Sequence, residues 1–338
     1  MTVQTPFPAN DSTSQIASQI KSGYSHNVSA MWQAEKQLHK AMFIYPLFVS
    51  ADPDLEQPIP ALPNQSIRGV NKLLPFLETL VAKGLHAVIL FGTLLPGQTK
   101  DLNATMADSP EGPIIPTIPL IRQRFPELYV IADVSLCEYT SHGHSSILLP
   151  DGTVNEEATV ARVSDMALAF AQAGALCVAP SDMSDGRIRA TKLKLLDAGL
   201  ANKVAIMAYS AKYASCLYAP FRDAVSSKLV SDEHKRYLLP IPGRRLAQKV
   251  MTRDLNQGAD MIIVKPAYAD IISDAKQIST GPVIAMQVSG EYAMQHAAAK
   301  AGVFDLKTIA LETTQVIARA GADAIISYYT PDFLEWLN

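Results

Sequence analysis

No stretch of this sequence approaches the roughly 18 consecutive apolar residues that a membrane-spanning helix needs, so no membrane partner is expected. Positive charge is not in excess. The 29 Lys and Arg stand against 32 Asp and Glu, a net charge of −3 that offers no basic field to a polyanion, and no nucleic-acid partner is expected. Cysteine is scarce: Cys137, Cys177 and Cys216 are too few and too scattered for a disulfide framework and suit a reducing compartment. The first twenty residues contain no Lys or Arg and no apolar secretory core, so a cytoplasmic address is the expectation. A glycine-rich phosphate turn after the first apolar run is also missing, which counts against a doubly wound nucleotide-binding sheet.

What is present is enough apolar sequence, 48% of 338 residues, to bury a large core. Residues 1 to 22, rich in Ser, Thr, Gln and Pro, read as a mobile arm followed by a helix from about Val28 to Lys40, so that residues 1–40 form an assembly segment and 41–338 a catalytic domain. Eight apolar runs then read as strands: Phe43 to Val49, Ala87 to Phe91, Tyr129 to Val134, Leu176 to Ala179, Val204 to Tyr209, Met261 to Val264, Pro282 to Gln287 and Ala324 to Ser327. Helical spacing fills the intervals, including Val70 to Lys83, Ile114 to Arg124, Glu156 to Ala173, Ile188 to Ala198, Arg244 to Gln257, Tyr268 to Ile278, Glu291 to Lys300 and Leu306 to Ala320. Glycine closes several of these, as at Gly84, Gly174, Gly258 and Gly321. Eight strand-helix units with short returns predict an α/β fold, a (β/α)8 TIM barrel.

In a barrel, function gathers at the carboxyl ends of the strands, which here read Phe91, Asp133, Ser181-Asp182, Lys212, Lys265, Ser289 and Tyr328. Two neighbouring strands each deliver a lysine after an apolar run. Desolvation and the nearness of a second cation both disfavour the ammonium form, and a neutral amine is a nucleophile for ketones. Taken singly, each lysine also reads as an ordinary strand-end residue reaching solvent; adjacency in a barrel is what favours the chemical reading. Two long segments sit on the same rim. Gly92 to Pro113 reads as a lid, and Tyr218 to Arg245 carries Arg222, Lys228, His234, Lys235, Arg236, Arg244 and Arg245, either an anion-binding cover or a solvated basic loop.

The motifs Tyr209-Ser210-Ala211-Lys212-Tyr213, Tyr218-Ala219-Pro220-Phe221-Arg222-Asp223-Ala224, Ile263-Val264-Lys265-Pro266, Val288-Ser289-Gly290-Glu291-Tyr292 and Ala179-Pro180-Ser181-Asp182-Met183 resemble those of the 5-aminolevulinate dehydratase (porphobilinogen synthase) family. The resemblance runs from Gly23-Tyr24 to Phe333-Leu334-Glu335-Trp336-Leu337. It implies the condensation of two molecules of 5-aminolevulinate to porphobilinogen, without an organic cofactor, with Lys265 forming the Schiff base to the first substrate and Lys212 to the second. It further implies that Ser289 and Tyr328 hold the first carboxylate, that Arg222 and the basic position at His234 hold the second, that Asp133, Ser181, Tyr218 and Phe221 form the pocket wall, and that Phe91 marks the lid end. An octamer clasped by the N-terminal arm is implied as well.

The chain departs from the family in two places. Zinc-using members carry three cysteines where this sequence has Ser135, Cys137 and Ser145, and neutral hydroxyls replace thiolates poorly, so tight zinc is not expected. Unligated residues are the favoured reading, with Cys137, His142 and His144 as the alternative, a replacement ligand set within one loop. The family's basic residue, glutamine and tyrosine in the pocket are here His234, Leu238 and Met286, each change removing a charge or a hydrogen bond. A diverged paralogue with another second substrate and a non-catalytic subunit are the competing readings. The survival of both lysines with Asp133, Ser289 and Tyr328 argues against the last.

Overall fold

The structure is a computed structural model and describes residues 19–94, 97–224 and 234–337, without the side chains of Asp223, His234 and Lys235. The chain divides into two compact units between Gln37 and Leu38. The arm expected over residues 1 to 22 lies almost wholly outside the described residues. In the first unit a 3-10 turn, Lys21–Gly23, precedes a helix, Asn27–Trp32, whose start is capped by His26 Nδ1 accepting the Val28 N–H at 3.2 Å. The helix expected to continue to Lys40 stops at Trp32. Val28, Met31 and Trp32 are all exposed, and a six-residue helix with no buried face has nothing to extend it.

The second unit contains strands β1 (Phe43–Ser50), β2 (Glu56–Pro58), β3 (Ser66–Arg68), β4 (Ala87–Thr93), β5 (Tyr129–Val134), β6 (Cys177–Pro180), β7 (Ala205–Lys212), β8 (Met261–Lys265), β9 (Val283–Met286) and β10 (Ala324–Ile326). Eight of them, β1 and β4 to β10, pair in sequence as parallel neighbours, and β10 returns to β1 to close the barrel. These are the eight apolar runs of the sequence. They lack polar alternation because each strand is covered by side chains inside and helices outside.

The helices form from amphipathic spacing. The longest, Glu156–Gln172, buries Val163, Met166, Ala167 and Phe170, starts with the Asn155 side chain accepting the Ala158 N–H, and carries Glu156 and Glu157 where the helix dipole favours anions. It ends before Gly174, whose φ of +108° is left-handed. Three short helices, Ala219–Ala224, His234–Tyr237 and Thr330–Trp336, escape the sequence reading because fewer than two turns show no periodicity.

Two features of the sheet matter for the site. First, β1 pairs with β10 only at Phe43 and Ile44, and its upper edge is instead met by β3 at Phe48 and Val49. The antiparallel β2–β3 ribbon thus fills the seam above the short β10, and Gln65 beside it accepts the Tyr45 hydroxyl at 2.8 Å and donates to the Tyr328 carbonyl at 3.3 Å. Second, the register between β7 and β8 slips between Tyr209 and Ala211, leaving Ser210 as an extra residue.

Candidate active site

The slip at Ser210 decides where the first lysine points. Side chains alternate along a strand, so Tyr209 and Lys212, three residues apart, would face opposite sides of a regular β7. With Ser210 as a bulge, Tyr209 is the partner of Ile263 and Lys212 the partner of Lys265, two positions of β8 that share a face. Both lysines therefore enter the barrel mouth. Lys265 Nζ lies 5.2 Å from the Tyr209 ring, 5.2 Å from the Tyr218 ring and 5.3 Å from the Phe221 ring, while Lys212 Nζ lies 5.8 Å from the Tyr209 ring and donates to the Ser181 carbonyl.

This aromatic enclosure strips Lys265 of water. Desolvation, followed by the charge of Lys212 and opposed by Asp133, pushes the Lys265 amine down to about 8. At pH 7 that leaves roughly one molecule in ten with a neutral amine, against one in a few thousand for an ordinary lysine. Asp133, at the end of β5, accepts the Ser181 hydroxyl at 3.2 Å; burial raises its carboxyl to about 6 against the pull of Lys265 and Lys212. The Lys265 amine and the Asp133 carboxyl are thus held in a desolvated pocket beside Lys212, where proton transfer near neutral pH is available to these two groups.

A cleft opens onto these groups, lined by Cys137, Gly143, Ser145, Lys212, Tyr218, Phe221, Arg222, Tyr237, Leu238 and Lys265. The Tyr218 hydroxyl donates to the Lys265 carbonyl at 3.2 Å. Ser289 begins the helix Ser289–Lys300, and its hydroxyl donates to the Leu217 carbonyl and accepts the Phe221 N–H, both at 3.1 Å. Gly290 permits this approach, since a Cβ there would stand 2.6 Å from the Leu217 carbonyl oxygen. Tyr328 is fully buried, stacks on Phe48 with centroids 6.2 Å apart, and its hydroxyl has no partner among the described residues. Phe91, assigned to the lid end, lies within β4 and is buried against Phe48 and Phe221, a wall residue below the loop because its parity turns it inward. Of the cationic cluster, Arg222 reaches the cleft, Arg244 pairs instead with Asp274 on the barrel's outer side, Lys228 lies outside the described residues, and so do the side chains of His234 and Lys235. Leu238 is buried at the cleft, and Met286 is buried with its sulfur 3.7 Å from the Tyr209 hydroxyl.

Three groups near the site were not found from sequence. Tyr209 is hidden by the bulge, because strand parity assigns it to the face opposite Lys212. Glu138 is buried, its carboxyl raised to about 7 by desolvation and then by the charge of Asp133. Tyr237 lines the cleft on a one-turn helix and meets His144 Nδ1 at 3.3 Å. The available signal for Glu138 was a lone acidic residue in the stretch from Ser135 to Leu149; Tyr209 stood in the lysine motif without a role of its own, and Tyr237 left no signal.

The loop after β5 does not fit a zinc ion. Ser135 Oγ lies 2.7 Å from Ser145 Oγ and 3.1 Å from Cys137 Sγ, so the hydroxyls satisfy one another. The Cys137 thiol is pushed up to about 12, by desolvation first and Glu138 second, and it is the one thiol among the three positions. His142 Nδ1 accepts the His144 N–H, and His144 faces Tyr237. The alternative set of Cys137, His142 and His144 is not assembled: among the described residues no three His, Cys, Asp or Glu side chains converge as metal ligands.

The family profile described as Delta-aminolevulinic acid dehydratase matches residues 17–336. The chain is 55% identical over 327 residues to the delta-aminolevulinic acid dehydratase of Eremothecium gossypii, 96% of each chain being covered. It is 45% identical to that of Macaca fascicularis, covering 96% of this chain and 99% of the relative. The Toxoplasma gondii delta-aminolevulinic acid dehydratase (porphobilinogen synthase), solved in complex with the reaction product porphobilinogen, superposes with a TM-score of 0.90 at 33% identity, covering 98% of this chain and 92% of that one. With the closed eight-stranded parallel barrel and its paired lysines, these likenesses make the chain a member of the delta-aminolevulinic acid dehydratase family.

Proposed function

We propose that this chain condenses two molecules of 5-aminolevulinate into porphobilinogen, with Lys265 forming an imine to the first and Lys212 to the second. The observation that carries the assignment is the lysine pair itself, ladder partners at the ends of β7 and β8, one of them with an amine lowered to about 8. A protonated imine is an electron sink. It acidifies the adjacent carbon for carbon-carbon bond formation and makes the partner carbon electrophilic, and two waters leave overall. Asp133 and Ser181, bonded to each other beside Lys212, are placed to exchange the protons these steps need, while Ser289 with Tyr328 holds the first carboxylate and Arg222 the second. Borohydride reduction in the presence of 5-aminolevulinate, followed by peptide mapping, tests this. Label is expected on Lys265 at low substrate and on Lys212 as substrate rises; label on neither removes the assignment.

The coupling of the amines gives a second measurable effect. Lys212→Gln removes a cation that lowers Lys265, so the Lys265 amine should rise from about 8 toward, without reaching, the ordinary lysine value, because desolvation remains. The pH at which Lys265 trapping is half-maximal is therefore expected to move upward. A limb that stays in place would show that the two groups do not interact.

A second reading, condensation with a more apolar keto acid in the second position, is favoured by Leu238 at the cleft and Met286 against Tyr209. Metal analysis of the purified protein is expected to find far less than one zinc per chain at the Ser135, Cys137 and Ser145 loop; stoichiometric zinc lost on Cys137→Ala would contradict this. The exposed Tyr24, Val28, Met31 and Trp32 support assembly into a homo-oligomer, taken here as an octamer, through the N-terminal unit. The three free cysteines support a cytoplasmic location.

A further inference from the structure

Behind β7 lies a charged cluster that the chemistry above does not use. Arg187, the first residue of the helix Arg187–Asp197, is wholly buried. Its Nη2 donates to Asp254 Oδ2 at 3.0 Å and to the Tyr209 carbonyl at 2.8 Å; its Nη1 donates to the Ser184 carbonyl at 3.2 Å; its Nε stands 3.4 Å from Asp182 Oδ1. Arg253 also binds Asp254, at 2.9 Å, so two cations face two buried carboxylates. A buried ion cluster gains little net stability over apolar packing, and this one is aimed at backbone.

It grips β7 at the Tyr209 carbonyl and the turn after β6 at the Asp182 side chain and the Ser184 carbonyl, and both places concern Lys212. Tyr209 is where the register of β7 slips, and that slip turns Lys212 into the barrel. Asp182 follows Ser181, whose carbonyl receives the Lys212 amine and whose hydroxyl binds Asp133. The turn from Asp182 to Arg187 is strained at Met183, whose φ is +75°, and a non-glycine residue in the left-handed region persists only where its surroundings impose it.

We propose that Arg187 is a positioning residue for the condensation, holding the bulge of β7 and the Ser181–Asp182 turn so that the Lys212 amine meets the second substrate. This rests on Lys212 being the second imine-forming amine. Arg187 touches neither substrate nor the reacting atoms and acts through the backbone of Tyr209 and the turn.

Full-length Arg187→Lys retains the charge and loses the planar fork. A second variant, Arg187→Met with Asp254→Leu, removes one charge of each sign from the cluster. Each is examined by far-UV circular dichroism and melting, by borohydride trapping with 5-aminolevulinate mapped separately at Lys212 and Lys265, and by kcat. In a folded variant, Lys265 labelling is expected to match the unsubstituted protein while Lys212 labelling and kcat fall roughly tenfold or more, the scale of a catalytic group displaced by about an ångström. A merely structural role would lower both labels together. Unchanged labelling at both lysines in a folded variant, or failure of both variants to fold, overturns the positioning role. Absence of Lys212 label in the unsubstituted protein overturns the assignment beneath it, and is told apart by needing no substitution.

Discussion

Lys265→Met is expected to lower porphobilinogen formation on the order of 10⁴-fold or more, the loss typical when a covalent nucleophile is removed, while leaving the protein folded and no less stable at pH 7. The stability half of this expectation follows from the lowered amine. Below about pH 8 the lysine is protonated in both folded and unfolded chains, and the folded state bears the full cost of burying the charge. Between about 8 and the ordinary lysine value near 10.4, the unfolded chain holds a proton that the folded chain has released, so stability of the unsubstituted protein rises with pH. Methionine fills a similar volume and has no such dependence. The variant's advantage in melting temperature should therefore be largest at neutral pH and shrink as pH climbs through that window. Activity measured with porphobilinogen as readout and melting followed from pH 7 to 10.5 check the two halves separately. Retained activity would move the first imine elsewhere; a melting difference independent of pH would mean that the amine is not desolvated as its ring contacts imply.

Restoring the family pattern with His234→Arg and Leu238→Gln is expected to tighten the second substrate by one to two orders of magnitude. Histidine as a residue type is half charged at its reference value of about 6.5 and mostly neutral at pH 7, whereas arginine is always charged and presents a planar fork to a carboxylate. Leu238 is buried at the cleft beside Tyr237 and offers no hydrogen bond. A hydrogen bond to a charged group contributes about 1.5–3 kcal/mol, which is the stated range in affinity. Arg222 remains to orient the carboxylate, so the unsubstituted chain is expected to work at high substrate and to saturate late. Porphobilinogen production against substrate concentration measures this. Equal saturation in both proteins would show that the site was never weakened. If Lys265 is trapped and neither protein makes porphobilinogen, the apolar second substrate becomes the leading reading.

The barrel was legible because eight strands buried on both faces leave eight uninterrupted apolar runs, and their ends fall within a residue or two of the observed ones except at β7, which runs three residues beyond Tyr209 to Lys212. The β2–β3 ribbon was not, since three-residue strands such as Glu56–Pro58 are exposed and show no pattern. Lys212 and Lys265 stood out as charges ending apolar runs. Asp133, Ser181, Tyr218 and Phe221, carried over from the resemblance, do gather around them. What sequence could not show was how they face one another. Plain alternation puts Tyr209 opposite Lys212, Glu138 was given no role, and Phe91, the lid end by resemblance, has its ring against Phe48 and Phe221 within the barrel.

The bulge at Ser210 carries a further consequence, best put in terms of phase. Every other inward residue of β7 could drift by substitution and remain inward, but no substitution moves Lys212 across the wall. Only the gain or loss of one residue does, because it alone changes the strand's parity. The lysine pair is thus phase-locked, while the pocket around it is free to vary one side chain at a time. That is the division the family resemblance implies for this chain: on it, Ser135, Ser145, His234, Leu238 and Met286 are departures, while the two amines stand as ladder partners. Deleting Ser210 would restore regular alternation and turn Lys212 toward the helical layer, converting a two-amine site into a one-amine site without altering any residue that lines it.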